Sequence, residues 1–372
     1  MKIAIIHDWL TGMRGGEKCL EVFCELFPEA TIFTLLHNKG SVSETIESMP
    51  IRTSFIQRLP KSSVKYRDYL PFFPRAVKGF DLTGFDLILS SSHCVAKGVN
   101  VPDEALHICY CYTPMRYAWV FYDQYFGKLN IIKRSIISYI LKQLKRWDLM
   151  TNENVDFFVA ISDNIRNRIE TCYKRDSDVI YPPVDTGRFD ISAENEDFYL
   201  VVSALVPYKR VDLAIEAFNK NGKRLVIIGT GNSEADLRQK AHGNIEFLGW
   251  LDNNDIANYY SRCKGLIFPG EEDFGIVPVE AQCCGKPVIA YGKGGALETV
   301  VPFDLRDTED SHTGVFFNEQ TSAALIEAVD IFEKNSDKFD PQKIRANGLR
   351  FGKAIFAQKM REYIEKKIEV RA

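Results

Sequence analysis

The 372-residue sequence predicts an α/β protein built as two doubly wound domains, each a parallel sheet covered by helices, that face each other across a cleft. Three observations carry this. Buried-strand segments alternate with helix-like segments through both halves, the order that builds parallel sheets. Glycine-rich turns recur where the strand-like segments end. A stiff Pro182-Pro183 step breaks the alternation near the middle, within the stretch Val179–Phe189. The length also suits two domains better than one.

In chain order, Lys2–His7 reads as the first buried strand, Gly12–Glu17 as a glycine-rich turn and Cys19–Leu26 as a helix. Strands are expected at Ala30–Leu35, Phe85–Ser91, Ala105–Tyr112 and Val155–Ile161. The last of these leads through Ser162, a helix cap, into the helix Ile165–Tyr173. In the second half, strands are expected at Asp197–Ser203, Lys223–Ile228, Ile245–Leu248, Gly265–Phe268 and Pro287–Ala290. Helices are expected at Val211–Asn219, Glu234–Ala241, Asn254–Cys263, Val279–Cys284 and Ser322–Lys334. Phe351–Ile368 reads as a polar helix with an apolar stripe. The expected division is 1–185, 186–350 and a terminal helix 351–372.

Hydrophobic residues make up 45% of the chain, enough for two cores, and no apolar run reaches the roughly 20 residues that span a bilayer. In the opening Met1-Lys-Ile-Ala-Ile-Ile-His-Asp8 an acid arrives too early for a signal peptide. Nine cysteines without a Cys-x-x-Cys pair suit reduced thiols in a cytosol. The net charge of −3 argues against a nucleic-acid partner. Residues 1–190 carry 24 Lys/Arg against 22 Asp/Glu, and 191–372 carry 23 against 28. The positive excess gathers in two stretches. Arg52–Lys78 has seven cations and one acid, interleaved with Phe55, Tyr66, Tyr69, Phe72 and Phe73. Gly127–Trp147 has six cations, no acid and an apolar stripe including Ile132, Ile136, Leu141 and Leu144. Such stretches either lie on an anionic membrane or pack a stripe on the core and leave a solvated outer face.

Candidate binding residues cluster at strand ends. Glu272 falls in the loop after Gly265–Phe268, and Glu280 in the first turns of the helix that follows. Both carboxylates are therefore expected at the carboxyl edge of the sheet, where open α/β sheets bind ligands. Backbone amides after Gly275 would attract an anion. Lys209-Arg210 follows a strand and precedes a helix; cations there oppose the helix dipole, so an anion such as a diphosphate is expected opposite them. Gly15-Gly16, Gly229-Thr-Gly231 and Gly294-Gly295 mark turns able to approach a phosphate, nucleoside or sugar, or serving simply as tight turns. His93, after Ser90-Ser-Ser92, is a candidate polar contact that could equally be structural. Asp176-Ser-Asp178 reads as a surface turn, and no metal is expected.

Seven motifs in register carry a resemblance: Gly15-Gly-Glu17, Thr113-Pro-Met-Arg-Tyr117, Tyr181-Pro-Pro-Val-Asp185, Leu205–Arg210, Gly229-Thr-Gly231, Glu272-Asp-Phe-Gly-x4-Glu280 and Gly294-Gly-Ala-Leu-Glu298. With these, the chain resembles the retaining glycosyltransferases of family 4, of two-Rossmann GT-B architecture, over essentially its whole length. It is most like bacterial mannosyltransferases of O-antigen and exopolysaccharide assembly. The resemblance implies transfer of a sugar, with GDP-mannose as donor, to a lipid-linked saccharide acceptor, without metal or other cofactor, at the inner face of the cell membrane. By it, Lys209 and Arg210 clamp the diphosphate, Glu272 holds sugar hydroxyls and Glu280 the ribose. Amides near Phe274-Gly275 meet the sugar or diphosphate, Gly15-Gly16 shape the phosphate side, and the terminal helix braces the first domain.

Two positions depart from the family. Ala204 stands where many members have Arg, which turns attention to Arg210. Tyr112 stands where many have His, which leaves His93 or Tyr112 to contact the sugar. The alternatives are a sugar-nucleotide epimerase or phosphorylase on the same fold, or a non-catalytic scaffold of a polysaccharide-assembly complex. An epimerase would act without an acceptor. A phosphorylase would need a cofactor-bearing Lys, for which no sequence context stands out.

Overall fold

The computed structural model describes residues 1–115, 119, 131–304 and 311–371, the side chains of 131–136 excepted. The chain forms two compact units, Met1–Pro183 with Phe356–Ala372, and Val184–Ile355. Each contains its own parallel sheet and its own buried apolar cluster.

The first unit holds β1 (Ile3–His7), β2 (Thr31–Thr34), β3 (Ile51–Thr53), β4 (Leu87–Ser92), β5 (Leu106–Cys111), β6 (Phe157–Ala160) and β7 (Ser177–Val179). Their order is β3-β2-β1-β4-β5-β6-β7, all parallel. Every residue of β1, β4 and β5 is buried, as expected for strands covered on both faces. The second unit holds β8 (Tyr199–Val202), β9 (Leu225–Ile228), β10 (Ile245–Gly249), β11 (Gly265–Phe268), β12 (Val288–Tyr291) and β13 (Gly314–Phe317). These run β10-β9-β8-β11-β12-β13, again all parallel. In each sheet the strand order reverses beside the first strand, between β1 and β4 and between β8 and β11. These are the switch points where such sheets open a crevice.

Several local expectations change. Ser177–Val179, read as part of a surface turn, is the edge strand β7, with Phe158 opposite Ser177. Asp178 on this strand is exposed, so it offers no apolar run to read. The first helix starts at Gly15, four residues earlier than the apolar periodicity suggests, where the Glu17 carboxylate reaches back to accept from the Arg14 amide. The helix after Gly275 spans Ile276–Cys283, with Gly275 at φ 93° as its cap. The chain ends in the helix Lys353–Arg371, which from Phe356 onward belongs to the first unit. Its buried face is Phe356, Met360 and Ile364, and the Phe356 ring packs on Phe23 and Tyr110.

The helix Ile131–Met150 is docked rather than free. Leu141 and Leu144 join the first unit's core, and Asp148 is fully buried against Lys97 at 3.0 Å. Lys97 Nζ also donates to the Asp148 carbonyl and to Thr151 Oγ1, while the Tyr173 hydroxyl and Trp119 Nε1 donate to the Asp148 carboxylate. A buried charge pair of this kind persists because the Tyr173 and Trp119 donors join Lys97 in answering the carboxylate. The Leu141–Leu144 part of the stripe is therefore core. The side chains of Ile132 and Ile136, and the residues Arg116 and Tyr117, lie outside the described set. Among the described residues no helix is long and apolar enough to cross a membrane.

His107 on β5 makes stability depend on pH. Its Nδ1 faces the Asn154 carbonyl at 2.6 Å, which can only accept, so Nδ1 carries the proton and Nε2 accepts from Ser90 at 2.8 Å. Full burial of this neutral ring lowers its pKa to about 4. Below the usual value of roughly 6.5 the unfolded chain takes a proton that the folded one refuses, so stability falls as pH drops from about 6.5 towards 4. Urea unfolding should show about 2 kcal/mol less stability at pH 5 than at pH 7.5 from this group. The His107→Gln variant should lose that component; an unchanged pH slope would contradict the assignment.

Candidate active site

In the second unit, the loops after β8, β9, β11 and β12 carry the candidate residues. Lys209 follows β8 and Glu272 follows β11, so the two flank the switch point. They meet there: Lys209 Nζ donates to Glu272 Oε1 in a half-buried ion pair. Gly270 lies against the Lys209 backbone, where a Cβ would come within 3.0 Å.

Arg210 goes elsewhere. It sits in the left-handed region, φ 55° and ψ 34°, between the turn Pro207–Lys209 and the helix Val211–Asn221. That backbone swings the guanidinium to Asp212 Oδ1 at 3.3 Å and Gln320 Oε1 at 3.1 Å, and Gln320 in turn donates to the Pro269 carbonyl. The anion expected opposite the two cations is thus supplied by the chain itself, Glu272 for Lys209 and Asp212 for Arg210. The neighbours do not form a joint clamp in this state.

Glu280 lies five residues into its helix and is 8% exposed. Its carboxylate accepts from the Tyr260 hydroxyl at 3.1 Å and lies 3.7 Å from Arg188, which also pairs with Asp185 at 3.1 Å. Burial, then the neighbouring Glu280 charge, raise the Tyr260 pKa, so the phenol stays a donor. The sequence places Glu280 open to the crevice beside Glu272; the structure encloses it, with partners of its own.

The glycines let one loop backbone press against another. Gly229, at φ 133°, presses so close to Ser203 that a Cβ would fall 1.9 Å from its carbonyl oxygen. Gly231 sits similarly against Leu205. Gly294 bridges to Glu272, and the Gly295 amide donates to the Glu272 carbonyl at 2.8 Å, so the loops after β11 and β12 are tied together. A Cβ at Gly295 would stand 2.2 Å from the Phe274 backbone. Phe274 itself is buried, its ring edge-on to Phe351.

In the first unit, the switch point gathers the ends of β1, β4 and β5. His7 Nδ1 meets Ser91 Oγ at 2.9 Å, Ser91 Oγ meets the Tyr112 hydroxyl at 2.8 Å, and that hydroxyl bonds the Gly16 carbonyl at 2.9 Å. Gly15 and Gly16 thus form the first turn of a helix braced by Tyr112. Glu17 folds back to accept from the Arg14 amide at 3.1 Å, placing a carboxylate of the chain at the helix start. Burial keeps the Tyr112 pKa well above its usual value, so it remains a neutral donor. Of the two candidates for a sugar contact, Tyr112 is 9% exposed and tied inward, whereas the His93 side chain is 30% exposed.

His93 is set by Asp8, a residue the sequence reading passed over. The fully buried Asp8 carboxylate accepts four backbone amides, from His93, Cys94, Val95 and Ala96, at 2.6–2.9 Å. It also lies 3.1 Å from His93 Nδ1, and the His93 ring stands edge-on to Trp9 at 4.5 Å. An acid at the end of a buried strand, just before a glycine turn, was the available signal. Among the described residues no group of three or more His, Cys, Asp or Glu is placed to hold a metal.

Two parallel α/β units with polar side chains at each switch point define the GT-B class, and the solved neighbours share that fold. HepE from Anabaena, described in complex with UDP, superposes with TM-score 0.73 at 17% identity, covering 98% of this chain and 100% of HepE. Residues 185–350, most of the second unit, match the model of the family described as Glycosyl transferases group 1. The alpha-1,3/1,6-mannosyltransferase ALG2 of Saccharomyces cerevisiae is 27% identical over 62% of this chain and 58% of its own length. A Corynebacterium glutamicum protein is 35% identical over 34% of this chain and 36% of its own. It is named GDP-mannose-dependent monoacylated alpha-(1-6)-phosphatidylinositol monomannoside mannosyltransferase. The chain spans somewhat over half the length of the first curated relatives it matches.

Proposed function

We propose that this protein is a retaining, metal-independent glycosyltransferase that moves mannose from GDP-mannose to a lipid-linked saccharide in surface-polysaccharide assembly, working at the inner face of the cell membrane. The observation that carries the reading is the Lys209–Glu272 pair at the switch point of the unit that matches the Glycosyl transferases group 1 model. The donor and acceptor classes are drawn from the names of the mannosyltransferase relatives.

On this reading the donor opens the ion pair. Lys209 turns to the diphosphate and Glu272 accepts hydroxyls of the sugar, so each charge exchanges one partner for another. As the bond from the anomeric carbon to the phosphate oxygen breaks, negative charge grows on the departing diphosphate. Lys209 meets that charge with a cation already in place, and Arg210 supports it from the Gln320 side. The acceptor oxygen bonds the anomeric carbon on the face the phosphate leaves, and its proton passes to the departing phosphate oxygen. No protein nucleophile is needed. The enclosed Glu280 faces the ribose, with Tyr260 and Arg188 fixing its carboxylate.

A thermal-shift panel tests the donor. GDP and GDP-mannose at about 100 times Kd should stabilise by roughly 2.7 kcal/mol, a rise of about 5–11 °C in the transition of the second unit, with or without chelator. A response confined to UDP and UDP-glucose would replace the base and sugar named here while keeping the transferase. Silence to every nucleotide would overturn the reading.

A further inference from the structure

The segment 55–78 of the first unit folds as four short helical turns, Phe55–Arg58, Ser62–Lys65, Tyr66–Phe72 and Phe73–Lys78, packed on one another. Its apolar residues separate into two sets. Ile56, Tyr66, Phe73 and Val77 are buried, with Tyr66 and Phe73 against the Trp9 ring. Phe55, Val64 and Phe72 point outward, 42%, 80% and 52% exposed. Singly exposed apolar side chains are ordinary. Here three of them stand among the seven Lys and Arg of Arg52–Lys78, every one exposed, against the single acid Asp68. None of the seven is ion-paired among the described residues. Arg52 and Arg67 lie over the Phe33 and Tyr66 rings, but a face whose cations meet no acid and which keeps aromatic and branched groups in water fits a partner that is negative at its surface and apolar beneath. A soluble polyanion satisfies the first property only.

We infer that this face docks on an anionic lipid bilayer, with Lys61, Lys65 and Lys78 at the headgroups and Val64 and Phe72 entering the interface. The inference deepens the lipid-linked acceptor proposed above by naming the surface that meets the membrane, and it moves that contact away from the docked helix Ile131–Met150. Long cationic side chains reach the headgroup plane while their stems and the two apolar groups lie deeper.

Co-sedimentation of the full chain with vesicles tests it. The chain should bind phosphatidylglycerol–phosphatidylcholine vesicles and not pure phosphatidylcholine. Combined Lys61→Ser, Lys65→Ser and Lys78→Ser should weaken binding on the order of 100-fold. Combined Val64→Ser and Phe72→Ser should weaken it about tenfold and make the remainder sensitive to 0.5 M salt. All five positions are exposed, so melting temperatures should hold. Equal binding to neutral vesicles overturns the inference, and so do variants that bind like wild type. Dextran sulfate competing fully, together with no effect of the Val64 and Phe72 changes, assigns the face to soluble polyanions and also overturns it. The nucleotide thermal shift, run on the same variants, separates the two readings. Vesicle binding without a nucleotide response sinks the transferase alone, and the converse sinks the docking face alone.

Discussion

Lys209→Ala is expected to lower sugar transfer by on the order of 100- to 1000-fold while the protein stays folded. The size follows from the role. A cation meeting charge that develops only as the leaving group departs contributes more to the transition state than to the bound donor, so kcat should fall further than KM rises. The fold should survive because the two side chains keep 17% and 22% of their surface in solvent, so water can answer the Glu272 carboxylate that the change leaves behind. Initial rates with labelled GDP-mannose and a membrane extract as acceptor, alongside a melting curve, give both readouts. Transfer within threefold of wild type would remove Lys209 from the chemistry. Lys209→Arg keeps the charge but not the compact ammonium, and should fall between the two.

Asp8→Ala is expected to produce the largest loss of stability of any single change considered, about 3–5 kcal/mol. The carboxylate is completely buried and answers four consecutive backbone amides as well as His93. Alanine would leave those donors without a partner in a place water does not reach. Asp8→Asn keeps the shape but points a donating NH2 at two of the four amides, so it should rescue little. In urea unfolding the transition of the first unit should move to lower concentration while that of the second unit stays. A variant melting within 2 °C of wild type would show that the turn 93–96 finds other acceptors. Because His93 rides on that turn, a folded remnant at low temperature should also transfer sugar poorly.

The parts of the fold legible in the sequence are those set by local physics. Strands buried on both faces, such as Leu87–Ser92 and Gly265–Phe268, are uninterrupted runs without charge, and they sit close to where the apolar pattern puts them. The edge strands β3 and β7 are not legible, because three residues with an exposed Arg52 or Asp178 carry no pattern. The candidate site divides the same way. Residues that end a strand or open a helix reveal their position by spacing, which is why Lys209, Glu272 and the glycine turns fall together. Partner choice is another matter. Asp8 is explained by amides some 85 residues away, Glu280 by Tyr260 and Arg188, and the direction of Arg210 by one left-handed backbone angle. None of these is written in a short window.

The terminal helix has a consequence for how the molecule is made. The first unit is discontinuous: its N-terminal 183 residues and its final stripe of Phe356, Met360 and Ile364 are separated by the whole of Val184–Ile355. A ribosome adding about 5–20 residues per second needs roughly 10–35 s to cross that gap. During that interval Phe23 and Tyr110 lack the ring that closes over them. The second unit, continuous in sequence, has no such wait. The nascent chain therefore completes its domains in the reverse of the order in which they begin, and the older half is the one that needs shelter from aggregation.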